Sequence, residues 1–215
     1  MSAPPKTVLQ ATPEEEAAIR AAVRAAGASR TLVKLDDGEA LHDFFADPAV
    51  SSWIYDLPRP LNLENTRAWI AEHVARHERG ENLLSVRKDE NGRIFSYSDI
   101  AVWPQRASAE LTGGTRGDRQ NSGTGSAGIA SGFDFIFEIL GVRLACATAA
   151  LDNIRSQRGI DKAGFRRIEG GRDVVRPDGT IRPSVYWELT RDEWRAAKAA
   201  RASGGDVTFD GGLTS

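Results

Sequence analysis

The sequence predicts an α/β (α+β) protein built on a mixed sheet with helices packed against it. Three observations carry this. Helical spacings begin on capping residues, a strand meander surrounds an Asn-Gly turn, and strands alternate with helices in the second half. The 215 residues are 40% hydrophobic and 27% charged, ordinary for a globular chain.

Residues 1–11 read as a loose, Pro-containing tail. Thr12-Pro13-Glu14-Glu15 then opens a helix: Thr12 caps it, Pro13 suits the first turn and Glu15 completes a capping box. An Ala-rich run carries it to Ala26, and Gly27 stops it. With few large apolar residues, it is expected on the outside of the main body. Thr31–Leu35 reads as a short strand. Asp37–Phe45 reads as a helix with Leu41, Phe44 and Phe45 on one side. Trp53 and Tyr55 precede the stiff Pro58-Arg59-Pro60 loop. Asn62 caps a helix expected to reach Arg79, closed by Gly80.

Leu83–Lys88, Ile94–Val102 and Ala107–Thr115 read as a meander whose first turn is Asp89-Glu90-Asn91-Gly92. The stretch 116–128 is rich in Gly, Ser and Thr and leads into a helix expected over Ala127–Leu140. A strand at Arg143–Thr148 and a helix at Asn153–Ala163 follow. Phe165–Glu169 and Ser184–Thr190 read as a final strand pair with a turn at Pro177-Asp178-Gly179. Arg191–Ala202 reads as a helix, and the Gly-rich end as a mobile tail. The expected organisation is an N-terminal extension with one helix (1–29), a main domain (30–195), and a helix end with tail (196–215).

Charge and cysteine content bound the function. Lys plus Arg number 28 against 30 Asp plus Glu, so the net charge of −2 speaks against a nucleic-acid partner. No apolar run approaches the roughly 20 residues of a membrane span. The opening Met1–Lys6 has no apolar segment, so no secretory signal is expected and the expected location is cytoplasmic. The single cysteine, Cys146, excludes an internal disulfide and Cys-based zinc sites. It is expected to be a buried small apolar residue. His42, His73 and His77 are expected on the surface or in helix packing, and no metal is expected.

The stretch Gln120-Asn121-Ser122-Gly123-Thr124-Gly125 lies between a predicted strand and a predicted helix. Closely spaced glycines let successive N–H groups converge, and the following helix adds its free N–H groups and dipole. That combination suits a pyrophosphate. The P-loop pattern fails because no Gly-Lys-Ser/Thr follows, and the dinucleotide pattern is out of place after a meander.

Gln120-x-x-Gly123-x-Gly125 resembles the acyl-CoA loop of the GNAT superfamily of N-acyltransferases. Asn153-x-x-Ser156 followed by Asp161-Lys162-Ala163-Gly164-Phe165 resembles a later segment of that superfamily. Leu41…Phe44-Phe45…Pro48…Trp53 and Thr66-Arg67-Ala68-Trp69-Ile70 are similar to the first helices of its ribosomal-protein alanine/serine N-acetyltransferase branch. The resemblance spans Thr31 to Trp194.

It implies a mixed sheet of about six or seven strands whose fourth and fifth members splay. It implies acetyl-CoA as co-substrate and a primary amine as acceptor, a protein N-terminus or a small molecule, attacked directly without a covalent enzyme intermediate. It assigns the donor to Thr112, Gly113, Gly114, Thr115, Gln120, Asn121, Ser122, Gly123, Thr124, Gly125, Ser126 and Asn153. It makes Glu110 the general base, Ser156 the partner of the leaving sulfur, and places Trp53 and Tyr55 beside the acceptor. Homodimers are common in the family. The chain departs from the pattern at Asn121, Ser122 and Thr124, where a basic residue is usual. At Gly113-Gly114 an aromatic residue is usual, and Gly within a strand points to a bulge or a close backbone approach. These departures keep a non-catalytic CoA-binding or regulatory module as the alternative.

Overall fold

The computed structural model describes residues 3–119 and 131–202, the side chains of 201 and 202 excepted. The expected loop residues Gln120, Asn121, Ser122, Gly123, Thr124, Gly125 and Ser126 lie outside the described residues. So does the beginning of the helix expected from Ala127.

Helix α1 (Pro13–Ala25) starts where its cap predicts: the Thr12 side chain accepts the Glu15 N–H. Helices α2 (Gly38–Phe45) and α3 (Pro48–Ser51) follow, and α4 (Leu63–Glu78) is capped by Asn62 through the Asn65 N–H. Gly80 ends α4 at φ +73, and a Cβ there would lie 2.7 Å from the Arg20 backbone. The meander is β1 (Asn82–Lys88), β2 (Ile94–Trp103) and β3 (Ser108–Thr115). Helix α5 is described from residue 131 and widens into a π-helical turn at Phe135–Ile139. Then come β4 (Leu144–Ala150), α6 (Ile154–Lys162), β5 (Arg166–Arg167), β6 (Arg172–Val175), β7 (Ile181–Thr190) and α7 (Arg191–Ala202).

Among the described residues, seven strands form one sheet in the order β1-β2-β3-β4-β7-β5, with β6 also on β7. All pairs are antiparallel except β3–β4. Alternation along the strands divides the core into two layers. On one face Leu83, Ile100, Val102, Ala145 and Trp187 pack with Ile19 and Val23 of α1, Phe133 of α5, Ile160 of α6 and Trp194 of α7. On the other, Leu84, Val86, Ile94 and Tyr97 pack with Leu41 and Phe45 of α2, Val50 of α3 and Ile70 of α4. Two buried residues suffice to hold the Ala-rich α1 on the sheet.

Three local expectations need correction. Thr31–Leu35 makes only an isolated bridge, Leu32 to Ser85, because a 3-10 turn already starts at Leu35. The strand expected over Phe165–Glu169 shortens to Arg166–Arg167, since Gly170 and Gly171 turn the chain at positive φ. Its place along β7 is shared with β6, whose charged Arg172-Asp173 start hid it from a reading of apolar alternation. The tail ahead of α1 is not loose either: from Ala3 to Thr7 it is hydrogen-bonded to β6 and β7.

Candidate active site

Strands β3 and β4 run parallel for three rows only, Ser108–Leu144, Ala109–Ala145 and Glu110–Cys146. Beyond Glu110, β3 stays with β2 as far as Thr115, while β4 stays with β7 as far as Ala150. The sheet therefore opens as a wedge between Leu111–Thr115 and Ala147–Ala150. Its β4 side carries Ala147, Thr148, Ala149 and Ala150, and its β3 side carries Leu111, Thr112, Gly113, Gly114 and Thr115, so small side chains predominate along it. Gly113 and Gly114 make no bulge, since their register with Ser98 and Tyr97 is unbroken. They permit a close approach instead: Cβ atoms there would lie 3.0 Å from the Tyr97 carbonyl oxygen and 3.1 Å from its ring.

Glu110 sits at the apex of this wedge, on the face that carries α2–α4, and is 1% exposed. The Tyr55 hydroxyl donates to its Oε2 at 2.9 Å and the Thr148 hydroxyl to its Oε1 at 2.7 Å. Burial raises the Glu110 pKa above the ordinary carboxylate value, while these two hydrogen bonds act the other way. A carboxyl so held is closer to the proton-accepting range of a general base at neutral pH. Burial, with the Glu110 charge adding to it, pushes the neighbouring Cys146 thiol well up, so it stays protonated.

Tyr55 and Trp53 lie on the segment after α3. That segment is pinned by arginines: Arg59 donates to the Ser51 carbonyl, and Arg176 and Arg182 to that of Ser52. Trp53 is 42% exposed with the Arg182 guanidinium 5.3 Å from its ring centre. Tyr55 thus reaches Glu110, whereas Trp53 stands at the rim.

At the far end of β4, Asn153 caps α6, its Oδ1 accepting the Ser156 N–H at 3.2 Å. The Gln157 amide donates to the Ala150 and Leu151 carbonyls and ties α6 to the end of that strand. Asn153 and Ser156 thus stand beyond the open end of the wedge, both partly exposed. Thr112, Gly113, Gly114 and Thr115 form its other edge.

The sequence reading missed Thr148, which only the parallel crossover brings to Glu110. It also missed a buried cluster above Glu110. Asp56, His73 and Asp99 place carboxylate and imidazole atoms within 4.8 Å of one another, and among the described residues they are the group that could hold a cation. Two of them, His73 and Asp99, are also bonded to each other and to their surroundings. Asp99 accepts from Asn82 at 2.6 Å and faces His73 at 3.3 Å, and the other His73 nitrogen meets the Trp69 carbonyl at 2.7 Å. Burial opposes the imidazolium, but the Asp99 charge and hydrogen bond outweigh it and raise the His73 pKa. For Asp99 burial is likewise outweighed by His73, and its pKa falls; burial, then the Asp99 charge, raises that of Asp56. His73, expected on the surface or in helix packing, is therefore an internal partner of β2.

Among the described residues no helix is long and apolar enough to cross a membrane. No curated protein matches the chain. Solved structures with the same fold include the ribosomal-protein-S5-alanine acetyltransferase from Vibrio fischeri, at 15% identity and TM-score 0.63 over 76% of this chain and 92% of that one. Mycobacterium smegmatis RimJ in complex with CoA-disulfide aligns at 20% identity and TM-score 0.63, covering 80% and 87%. The spermidine/spermine N-acetyltransferase SpeG from Vibrio cholerae aligns at 14% and TM-score 0.62, covering 79% and 96%. The model of the acetyltransferase (GNAT) domain matches residues 30–166, the span that holds the wedge, Glu110 and α6, and the chain belongs to the GNAT acetyltransferase family.

Proposed function

We propose that this protein moves the acetyl group of acetyl-CoA to a primary amine by direct attack, with Glu110 taking the amine's proton. The observation that carries the reading is a buried carboxyl, raised in pKa, at the apex of a wedge between two splayed parallel strands. The wedge suits an extended pantetheine arm: small residues predominate along it, and it is edged by main chain that β3 and β4 no longer share. The donor residues would then be Thr112, Gly113, Gly114 and Thr115 along β3, Asn153 at α6, and Gln120 through Ser126 for the pyrophosphate.

The amine nitrogen attacks the thioester carbonyl and the C–S bond breaks. Main-chain N–H groups of β3 near Gly114 or Thr115 would hold the oxygen as negative charge builds. The amine proton passes to Glu110, directly or through one water or the Tyr55 hydroxyl. The thiolate takes a proton, and Ser156 is the hydroxyl assigned to its stabilisation. A neutral amine is needed at the start. An α-amine is about 10% neutral at pH 7 and a lysine less than about 0.1%, so one buried carboxyl suffices more readily for the first. Trp53 would border the acceptor at the rim.

A thermal-shift series with acetyl-CoA and CoA, followed by thiol release with a panel of peptide and polyamine acceptors, tests the reading. Binding to the folded state should raise the melting temperature with CoA esters, and thiol should appear only with an amine. Stabilisation without amine-dependent thiol release would make the protein a binding module. No stabilisation would remove the donor altogether.

A further inference from the structure

On the same face as Glu110, the β7 side of the wedge is covered by the chain's own residues Ala3–Thr7. Their main chain is held throughout by side chains of β6 and β7. Arg172 donates to the Ala3 carbonyl at 3.0 Å and to the Pro4 carbonyl at 2.8 Å. The Lys6 N–H donates to the Tyr186 hydroxyl at 3.1 Å, and the Thr7 N–H to Glu188 Oε1 at 2.9 Å. The Thr7 hydroxyl donates to the other Glu188 oxygen. Pro4 and Pro5 have no N–H to satisfy, and Pro5 alone of the five is buried.

This floor adjoins the proposed base. Tyr186 lies opposite Thr148, whose hydroxyl bonds Glu110, and Glu188 lies opposite Cys146, the parallel partner of Glu110. Directly opposite side chains share a face at about 5 Å. The Arg172 charge also reaches Glu110.

We propose that this floor is the groove for an extended polypeptide acceptor, and that Ala3–Thr7 is a strap that lifts to admit it. The inference rests on the acetyl-transfer reading and narrows its acceptor. Contacts to carbonyls and amides read a main chain without reading its sequence, so a second extended chain can take over every one of them. Arg172 needs carbonyl oxygens, and a polyamine has none; its ammonium groups would meet the guanidinium with like charge. Glu188 is fully buried with the strap in place; when the strap leaves it keeps the Tyr186 hydroxyl at 2.8 Å and loses both Thr7 donors, which an incoming chain would replace. A peptide supplies both sets of partners.

Initial rates with a peptide acceptor, spermidine and acetyl-CoA test this in three proteins: the full chain, a form lacking residues 1–7, and full-length Thr7→Val, which loses only the hydroxyl to Glu188. A strap closed about nine-tenths of the time raises the apparent KM of its competitor about tenfold. The truncated form should therefore show a peptide KM lower by about that factor, and Thr7→Val a smaller drop, with the acetyl-CoA KM unchanged. A synthetic peptide of residues 3–10 should inhibit the truncated form in competition with the peptide acceptor and not with acetyl-CoA. Transfer with an unchanged peptide KM in both variants overturns the strap. An equal gain for spermidine overturns the peptide groove. Absence of transfer to any amine in all three proteins overturns instead the acetyl-transfer reading beneath it. Should the truncated form not fold, Thr7→Val alone decides.

Discussion

Glu110 accepts one hydrogen bond from Tyr55 and one from Thr148, and both favour its ionised form against the burial that raises its pKa. Removing one donor therefore shifts the balance in a known direction. Tyr55→Phe takes away a hydrogen bond to the charged form and leaves the ring in place. The acidic limb of the kcat/KM profile should move to higher pH. Below that limb the rate should fall by about tenfold, as expected for a lost hydrogen bond to a charged group. A profile that does not move would mean that the titrating group is not Glu110. Glu110 entered as the general base, and Tyr55 as a residue beside the acceptor, through the family resemblance, which did not join the two. Thr148 was not legible: its hydroxyl matters only because β4 returns parallel to β3, and no local pattern records that.

The elements that position the site fail in ways their backbones dictate. The strand β6 carries Arg172 and begins after Gly171, which has φ +49 and whose Cβ would lie 2.4 Å from the Ser184 carbonyl oxygen. Gly171→Ala should cost about 1–3 kcal/mol of stability, from left-handed strain and displacement of β7. Denaturant unfolding measures it, and a cost near zero would mean that the β6–β7 register shown here is wrong. Caps and turns were the easiest elements to read: Thr12 and Asn62 both cap the helices their positions announce. The strand β5 was read at more than its two residues, and the charged β6 was illegible, because a four-residue strand opening on Arg172-Asp173 has no apolar alternation to display. The bridge at Leu32 shows the converse, an apolar alternating segment denied a full strand by the turn that follows it.

At the scale of the whole molecule, the two faces of the sheet do different work. The face with α1, α5, α6 and α7 is apolar packing, while the face with α2–α4 carries Asp56, Asp99, Glu110 and Glu188 among its buried groups. Stability should register that polar layer through pH. The folded-state pKa of His73 is raised, so its contribution is complete below the unfolded value near 6.5 and is lost as pH rises through the folded value. The unfolding free energy of the native protein should decline across that window, and His73→Gln should flatten the decline. A decline of equal size in both proteins would place the titration elsewhere. The layered arrangement followed from the alternation of strands and helices, but the buried Asp56–His73–Asp99 cluster did not, since its members come from three separate elements.

The wedge and its buried carboxyl together make one claim: donor binding does not need Glu110, and transfer does. Single-turnover acetyl transfer by Glu110→Gln, read beside acetyl-CoA affinity and melting temperature, tests it. Gln keeps the shape and relieves a buried ionisable group, so the melting temperature should hold or rise and acetyl-CoA should bind as before. Transfer should slow by about 10²–10⁴-fold, the range for loss of a general base. Transfer at the native rate by a folded Glu110→Gln protein would contradict the assignment.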